Sequence, residues 1–235
     1  MNGYNDNRRA SYFNQASNGD YVGLRRGIDI TDDYIANNFL SYSTVKIAAS
    51  DPIMWMNAAE VSFLRAEGAA VFDFNMGGTA EEFYNQGIRL SFEQWQAEGA
   101  DAYIEDDESL PAVYVDPFAD QSYNEQLSTI TVKWDEGATK EEKQERIIIQ
   151  KWIANWMLGN EAWADYRRTG YPHLIPATAD GNKSGGIVDS NKGARRMPYP
   201  NEEYTNNQDN VNYAVSNYLK GPDNMATKIW WDCKR

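Results

Sequence analysis

A mainly α fold, built of helical hairpins carrying long irregular loops, follows from three features of the sequence. Three segments place a capping residue three positions ahead of a glutamate, Asn57/Glu60, Thr79/Glu82 and Thr139/Glu142, a pairing that satisfies the free backbone donors of a helix start. Behind each, apolar residues return every three or four positions, the period of one helix face. Between and beyond them the periodicity dissolves into stretches rich in Gly, Asn, Pro and acid.

Taken in order, residues 1–50 hold short apolar islands, Tyr21 to Leu24 and Ser43 to Ile47, among Gly, Asn and Tyr. They predict loops with one or two short strands and no long helix. Ala59, Phe63, Ala66, Ala70 and Phe74 recur at helical spacing up to Gly77-Gly78, predicting a helix over 57–75. Tyr84, Ile88, Phe92 and Trp95 share one face of a second helix over 79–98. The glycine turn between the two makes an αα-hairpin. Residues 100–136, with the acidic run Asp101 to Glu108, Pro111 and Asp116-Pro117, read as loop with room for a short strand or helix. A third helix, over 139–158, is apolar nearly all round near Trp152, Ile153, Trp156 and Met157, so it belongs at the centre of the core. Another helix covers 160–168, a Gly, Pro and Asn-rich loop covers 171–200, and short helices over 201–205 and 207–219 precede the tail Ile229-Trp230-Trp231-Asp232. Phe63, Trp152, Trp156 and Trp163 are expected to be nearly buried. The hairpins and their small residues point to tetratricopeptide-like packing, without a clean repeat of about 34 residues.

Composition narrows the function. The 235 residues include 22 Lys and Arg against 35 Asp and Glu, a net charge of −13, which repels phosphate backbones and anionic membrane surfaces. Nucleic acid is therefore not an expected partner. One cysteine, Cys233, excludes a disulfide within the chain, and one histidine, His173, excludes metal sites that need two imidazoles. The amino-terminal residues show no cationic and apolar leader, and no stretch of about 18 apolar residues occurs. Aromatic residues make up 13% of the chain; with the many asparagines they suit stacking on sugar faces and bonding to hydroxyls, though most such rings serve packing.

Candidate chemistry is sparse. Asp106/Asp107 and Asp116/Asp120 are carboxylate pairs in loops, but neighbours in an acidic run mostly form a solvated face. His173 follows Tyr171-Pro172 with no G-x-S-x-G elbow anywhere. Asp180 to Ile187 matches the opening of a calcium loop, yet position twelve is Asn191, so the segment reads as a glycine-rich turn. No phosphate-cradling glycine loop is present. Trp163, Tyr166, Arg167 and Arg168 share a helix with Asp165 and read first as core anchor and ion network. No cofactor and no metal are expected.

Several segments, in order, resemble one family. Ala58 to Ala69 (AAEVSFLRAEGA) is similar to the "AEv-fLrAEa" helix of SusD/RagB-like outer-membrane nutrient-binding lipoproteins, and Tyr84 to Ser91 to the "Y-x-x-GI-x-x-S" segment after it. Asn160 to Pro172, Arg195 to Pro200 with Glu203-Tyr204, and Lys228 to Asp232 look like that family's C-terminal signature. Asn5-Asp6-Asn7-Arg8 with Tyr12-Phe13 resembles "NDPR-x-x-x-YF", with Asn7 in place of the usual proline. The resemblance implies a SusD-like, tetratricopeptide-containing α fold, residues 1–235 being the C-terminal portion of one domain without its lipid anchor and first repeats. It implies a surface lipoprotein of the outer membrane, not an enzyme, that captures an oligosaccharide or other nutrient and passes it to a SusC-like TonB-dependent transporter. Missing repeats would leave apolar surface exposed. Part of the family's ligand site precedes the helix matched here by Ala58 to Ala69, which makes Tyr12, Phe13, Tyr34, Phe39 and Tyr42 the candidate ligand contacts. A helical-repeat scaffold for protein partners and, further off, a glycan-cleaving enzyme are the competing readings.

Overall fold

The computed structural model describes residues 1–31, 38–118 and 121–234; Tyr34 and Asp120 lie outside them. Helices α1 (Arg9–Tyr12), α2 (Ala58–Ala70), α3 (Ala80–Gln94), α4 (Ala100–Ile104), α5 (Lys140–Ala154), α6 (Gly159–Thr169), α7 (Asn201–Asn206) and α8 (Gln208–Asn217) are joined by long loops, with one 3₁₀ turn at Phe39–Ser41. Among the described residues the β pairing is limited to isolated antiparallel bridges, Phe13 with Val45 and Tyr114 with Tyr123.

The capping residues act as the sequence predicts. The Asn57 side chain accepts from the Glu60 N–H at 2.6 Å. At Thr79 and Thr139 the box is reciprocal, the glutamate carboxylate accepting from the threonine N–H at 2.8 Å in both. The helix ends differ from the expected ones because left-handed residues intervene. Asp73 (φ 57°), Gln96 (φ 51°) and Met157 (φ 75°) turn the chain after α2, α3 and α5, so these helices stop at Ala70, Gln94 and Ala154 rather than at 75, 98 and 158. Phe74 is thus no part of a helix face; it is 61% exposed and stacks on Phe72 at 5.7 Å.

Helices α2 and α3 form the hairpin, and α5 packs across α2. The Phe63 ring of α2 lies against Gly87 of α3, where an added Cβ would be 2.8 Å from its carbons; a residue without a side chain leaves room for that ring. Phe63, Tyr84, Ile88 and Ile147 are fully buried. Tyrosine hydroxyls tie the loops to this core: Tyr4 donates to the Ile130 carbonyl at 2.7 Å and Tyr84 to that of Val132 at 2.6 Å. Arg8 is buried with Asp6, its Nε and Nη2 donating to the two carboxylate oxygens at 3.0 and 2.6 Å, its Nη1 to Ser91 at 2.8 Å, and its guanidinium 4.7 Å from the Phe92 ring centre. A charge taken from water needs such full compensation.

The expectation that Trp152, Trp156 and Trp163 are nearly buried is corrected: all three are half-buried, and only Phe63 is sealed. The innermost apolar positions of α5 go to Ile147, Ile148 and Ala154. Between α2, α5 and α6 lies a buried ion network. Lys151 pairs with Glu60 at 3.2 Å and Asp165 at 2.7 Å, and Arg168 with Glu67 at 2.6 Å and Asp165 at 2.9 Å. Apolar surface is exposed at Ile53 (85%), Trp55 (85%) and Met56 (79%), just ahead of α2. No helix among the described residues is long and apolar enough to cross a membrane.

Candidate functional site

A groove of about 920 Å³ opens beside the end of α3. Its floor grows out of the aromatic run after α1. Phe13 bridges to Val45, the Asn14 N–H donates to the Thr44 carbonyl at 2.9 Å and the Lys46 N–H to that of Tyr12 at 2.9 Å. Residues 12–14 and 44–46 therefore form a strap, and the chain beyond it folds back through a turn in which Asp51 accepts from the Ala48 N–H at 2.8 Å. Beneath the strap Tyr12 stacks on Trp156 (5.2 Å, 12° between planes), meets Trp95 edge-on at 4.8 Å, and donates its hydroxyl to the Ile153 carbonyl. Trp95, Val45, Ile47, Ile53 and Met157 give the groove its apolar wall, and Asn14, Gln94, Lys46 and Asp51 its polar one.

This lining suits a ligand with flat C–H faces and rim hydroxyls. The Trp95 Nε1 is buried with no partner among the described residues, an unpaired donor behind the wall. Among the described residues Asp51 is the one carboxylate of the lining. Elsewhere Asp106 accepts from the N–H groups of Glu108 and Ser109, and Asp116 from the hydroxyls of Tyr42 and Tyr114; both are fixed in loop structure. Hydrogen bonds from Ser109 and Glu108 outweigh burial and hold the Asp106 carboxyl below its ordinary range. No cluster of metal-ligating side chains occurs among the described residues.

The candidate aromatics divide. Tyr12 and Phe13 are adjacent, 6.1 Å between ring centres, with Tyr12 buried and Phe13 half-buried beside the groove. Tyr42 is buried elsewhere, its hydroxyl 2.7 Å from Asp116 and its ring 6.5 Å from Phe118. Phe39 is 53% exposed on the 3₁₀ turn, and Tyr34 lies outside the described residues. Sequence reasoning passed over Trp95, reading it as core because it continues the α3 stripe; the two flanking glutamines, Gln94 and Gln96, were the available sign that this ring borders solvent.

The family model described as SusD-like, "Susd and RagB outer membrane lipoprotein", matches residues 1–232. Among solved structures, a SusD homolog from Bacteroides uniformis is 65% identical (TM-score 0.94), the match covering 100% of this chain and 48% of that one. A chitin-binding SusD homolog from Flavobacterium johnsoniae is 43% identical (TM-score 0.91; 100% and 48%), and a SusD homolog from Bacteroides thetaiotaomicron 42% (TM-score 0.90; 100% and 50%). The chain spans about half the length of these solved relatives. No match is found among curated proteins.

Proposed function

The chain belongs to the SusD-like family of outer-membrane lipoproteins, and on that premise we propose that it serves a surface receptor which captures a saccharide and passes it to a SusC-like TonB-dependent transporter. Within such a receptor it is the C-terminal portion. The observation that carries the reading is the groove beside Trp95, where an aromatic and aliphatic wall faces amide and carboxylate side chains. Sugar rings are met by stacking and their hydroxyls by planar amides, and the chitin-binding relative supports an N-acetylated sugar as the first ligand to try. Of the four described aromatics, Phe13 and Phe39 offer accessible rings, while Tyr12 acts by holding Trp95 and Trp156 in place.

Affinity is modest on this reading, roughly −4 to −8 kcal/mol, because exposed hydroxyl bonds replace bonds to water. Calorimetric titration with chitotriose and chitohexaose tests it. Asn14→Ala and Gln94→Ala should each weaken binding about fivefold, the loss of one hydrogen bond of about 1 kcal/mol, and Trp95→Ala by more. Undiminished affinity in all three variants refutes the groove; no binding of any neutral glycan by the chain or its full-length parent refutes the function.

A further inference from the structure

A second cavity, of about 330 Å³, opens between the C-terminal end of α6, the 189–193 turn and the tail, and shares no lining residue with the groove. Its lining is basic in a chain whose net charge is −13. Most of those cations are already matched. Arg195 forms a two-armed pair with Asp232, with both contacts at 2.5 to 2.7 Å. Lys228 reaches the same carboxylate at 3.4 Å, and Lys234 bonds to Glu141.

Three donors of the lining keep N–H groups that no described residue takes up. Arg167 has no carboxylate within ion-pair distance among the described residues; its Nε and Nη1 donate to the carbonyls of Trp163 and Arg195, and no described group accepts from its Nη2. The guanidinium is held flat by Trp163, 3.7 Å from its ring centre, and by Trp231 at 4.8 Å. Burial and then the neighbouring Arg195 draw its pKa below the ordinary value, against the opposing attraction of Asp232. Lys192 likewise has no carboxylate within ion-pair distance among the described residues, feeling Asp189 only at longer range, and the Asn191 side-chain amide bonds to Asp189 and keeps its second N–H; both residues are exposed.

Both lie on a turn that is built rather than loose. Asp189 accepts from the Asn191 N–H at 2.8 Å with its carboxylate and from the Lys192 and Gly193 N–H groups with its carbonyl, and Tyr166 of α6 donates to the Asn191 carbonyl at 3.1 Å. The acid of the described lining, Glu141, is engaged by Lys234, and the neighbouring Asp232 by Arg195. Asp189, on the turn itself, is occupied within it. On the far side Tyr171 and His173 stand edge to face at 5.0 Å, an aromatic wall beside the open donors. Preorganised, charged donors next to a ring fit an oxyanion carried on a sugar.

We propose that this cavity binds the carboxylate or sulfate group of an acidic sugar residue, with Arg167, Lys192 and Asn191 as its donors. The sugar part rests on the glycan reading above; the oxyanion part stands without it. The test is chemical-shift mapping on the full chain at constant ionic strength with glucuronate, N-acetylglucosamine 6-sulfate, neutral N-acetylglucosamine and sodium sulfate. Glucuronate or the sulfated sugar should move the Asn191, Lys192 and Arg167 signals, and the neutral sugar should not. Lys192→Ala should weaken the effect at least fivefold and Lys192→Glu abolish it; as an exposed turn residue, Lys192 can be changed without unfolding the chain, which the unperturbed remainder of the spectrum verifies. Binding of inorganic sulfate as tight as that of both sugar acids overturns the sugar assignment. No movement of these three residues with any oxyanion, or equal affinity in the Lys192 variants, overturns the site itself. Failure of chitotriose at the groove bears only on the earlier reading.

Discussion

The contact of Phe63 with Gly87 sets the distance between α2 and α3, and it yields a prediction with an internal control. Phe63 is fully buried and meets Tyr84 edge-on at 6.1 Å. Phe63→Ala empties that site and should cost about 3–5 kcal/mol. For a chain of 235 residues the unfolding entropy near the midpoint is about 0.5 kcal/mol/K, so Tm should fall by about 6–10 °C. Gly87→Ala acts on the same spot from the other helix. Its methyl gains about 1 kcal/mol of helix propensity but arrives 2.8 Å from the Phe63 ring, an overpacking cost of about 1–3 kcal/mol. Alone, it should therefore be neutral to destabilising. With Phe63 already alanine the collision is gone and the same methyl should stabilise by about 1 kcal/mol, a coupling of about 1–3 kcal/mol. Urea unfolding followed by far-ultraviolet circular dichroism on the four proteins measures it. If Gly87→Ala is equally stabilising in both backgrounds, the helices do not approach as described and the reasoning fails.

Other outcomes follow from the same physics. Asn57→Ala removes the cap of α2 and the partner of the Asn155 amide oxygen, 3.0 Å away, and should cost about 1–2 kcal/mol in urea unfolding, against nearly nothing for an exposed asparagine such as Asn217. Trp152→Ala should cost less than Phe63→Ala, below about 3 kcal/mol, because its ring is only half-buried. Trp55→Ser, at a site 85% exposed, should leave Tm within about 2 °C while reducing binding of a hydrophobic dye. Glu82 and Glu142 are held below the ordinary carboxylate range by hydrogen bonds from Thr79 and Thr139, and Asp223, against the opposing effect of burial, by bonds from Arg196 and Tyr204. A depressed folded-state pKa stabilises above the unfolded value and loses that contribution as pH falls through the folded one. Urea midpoints should accordingly drop between pH 5 and pH 3, and the double variant Thr79→Ala/Thr139→Ala should flatten the drop.

The helices were readable because their signals are local. Capping pairs and a three-to-four-residue period state where α2, α3 and α5 begin, and each begins within a residue of the expected position. Their ends were not, since the residues that stop them, Asp73, Gln96 and Met157, adopt the left-handed region without being glycine. The short α4 lies in a stretch read as loop with room for a short strand or helix; its place was not marked because it is only five residues long with no side-chain cap. Burial of individual tryptophans depended on which face of α5 meets α2 and on the stacking of Trp156 with Tyr12, and sequence spacing does not contain that. The groove was harder still. It joins residues 11–14, 45–54, 94–95 and 157, four separate stretches, and only the first lay within the aromatic run that the family resemblance singled out. The motif Asn5-Asp6-Asn7-Arg8, noted as a likeness, has its physical meaning in the buried Asp6–Arg8 pair, a meaning no periodicity carries.

The ion network between α2, α5 and α6 also bears on how such a chain can change over generations. Lys151 and Arg168 face Glu60, Glu67 and Asp165, two positive charges against three negative ones, so the cluster keeps one negative charge when complete. Each single replacement strands a partner inside: loss of Lys151, itself 3% exposed, leaves Glu60 and Asp165 without their ammonium, and loss of Glu67 leaves Arg168 with Asp165 alone. Removing one member of a buried pair costs about 3–5 kcal/mol, while exchanging all members for apolar residues of like volume is often neutral. The apolar alternative is thus separated from the present sequence by intermediates that fold poorly. Substitutions here must arrive together or not at all, whereas the exposed turn at Asn191 and Lys192 is free to vary one residue at a time.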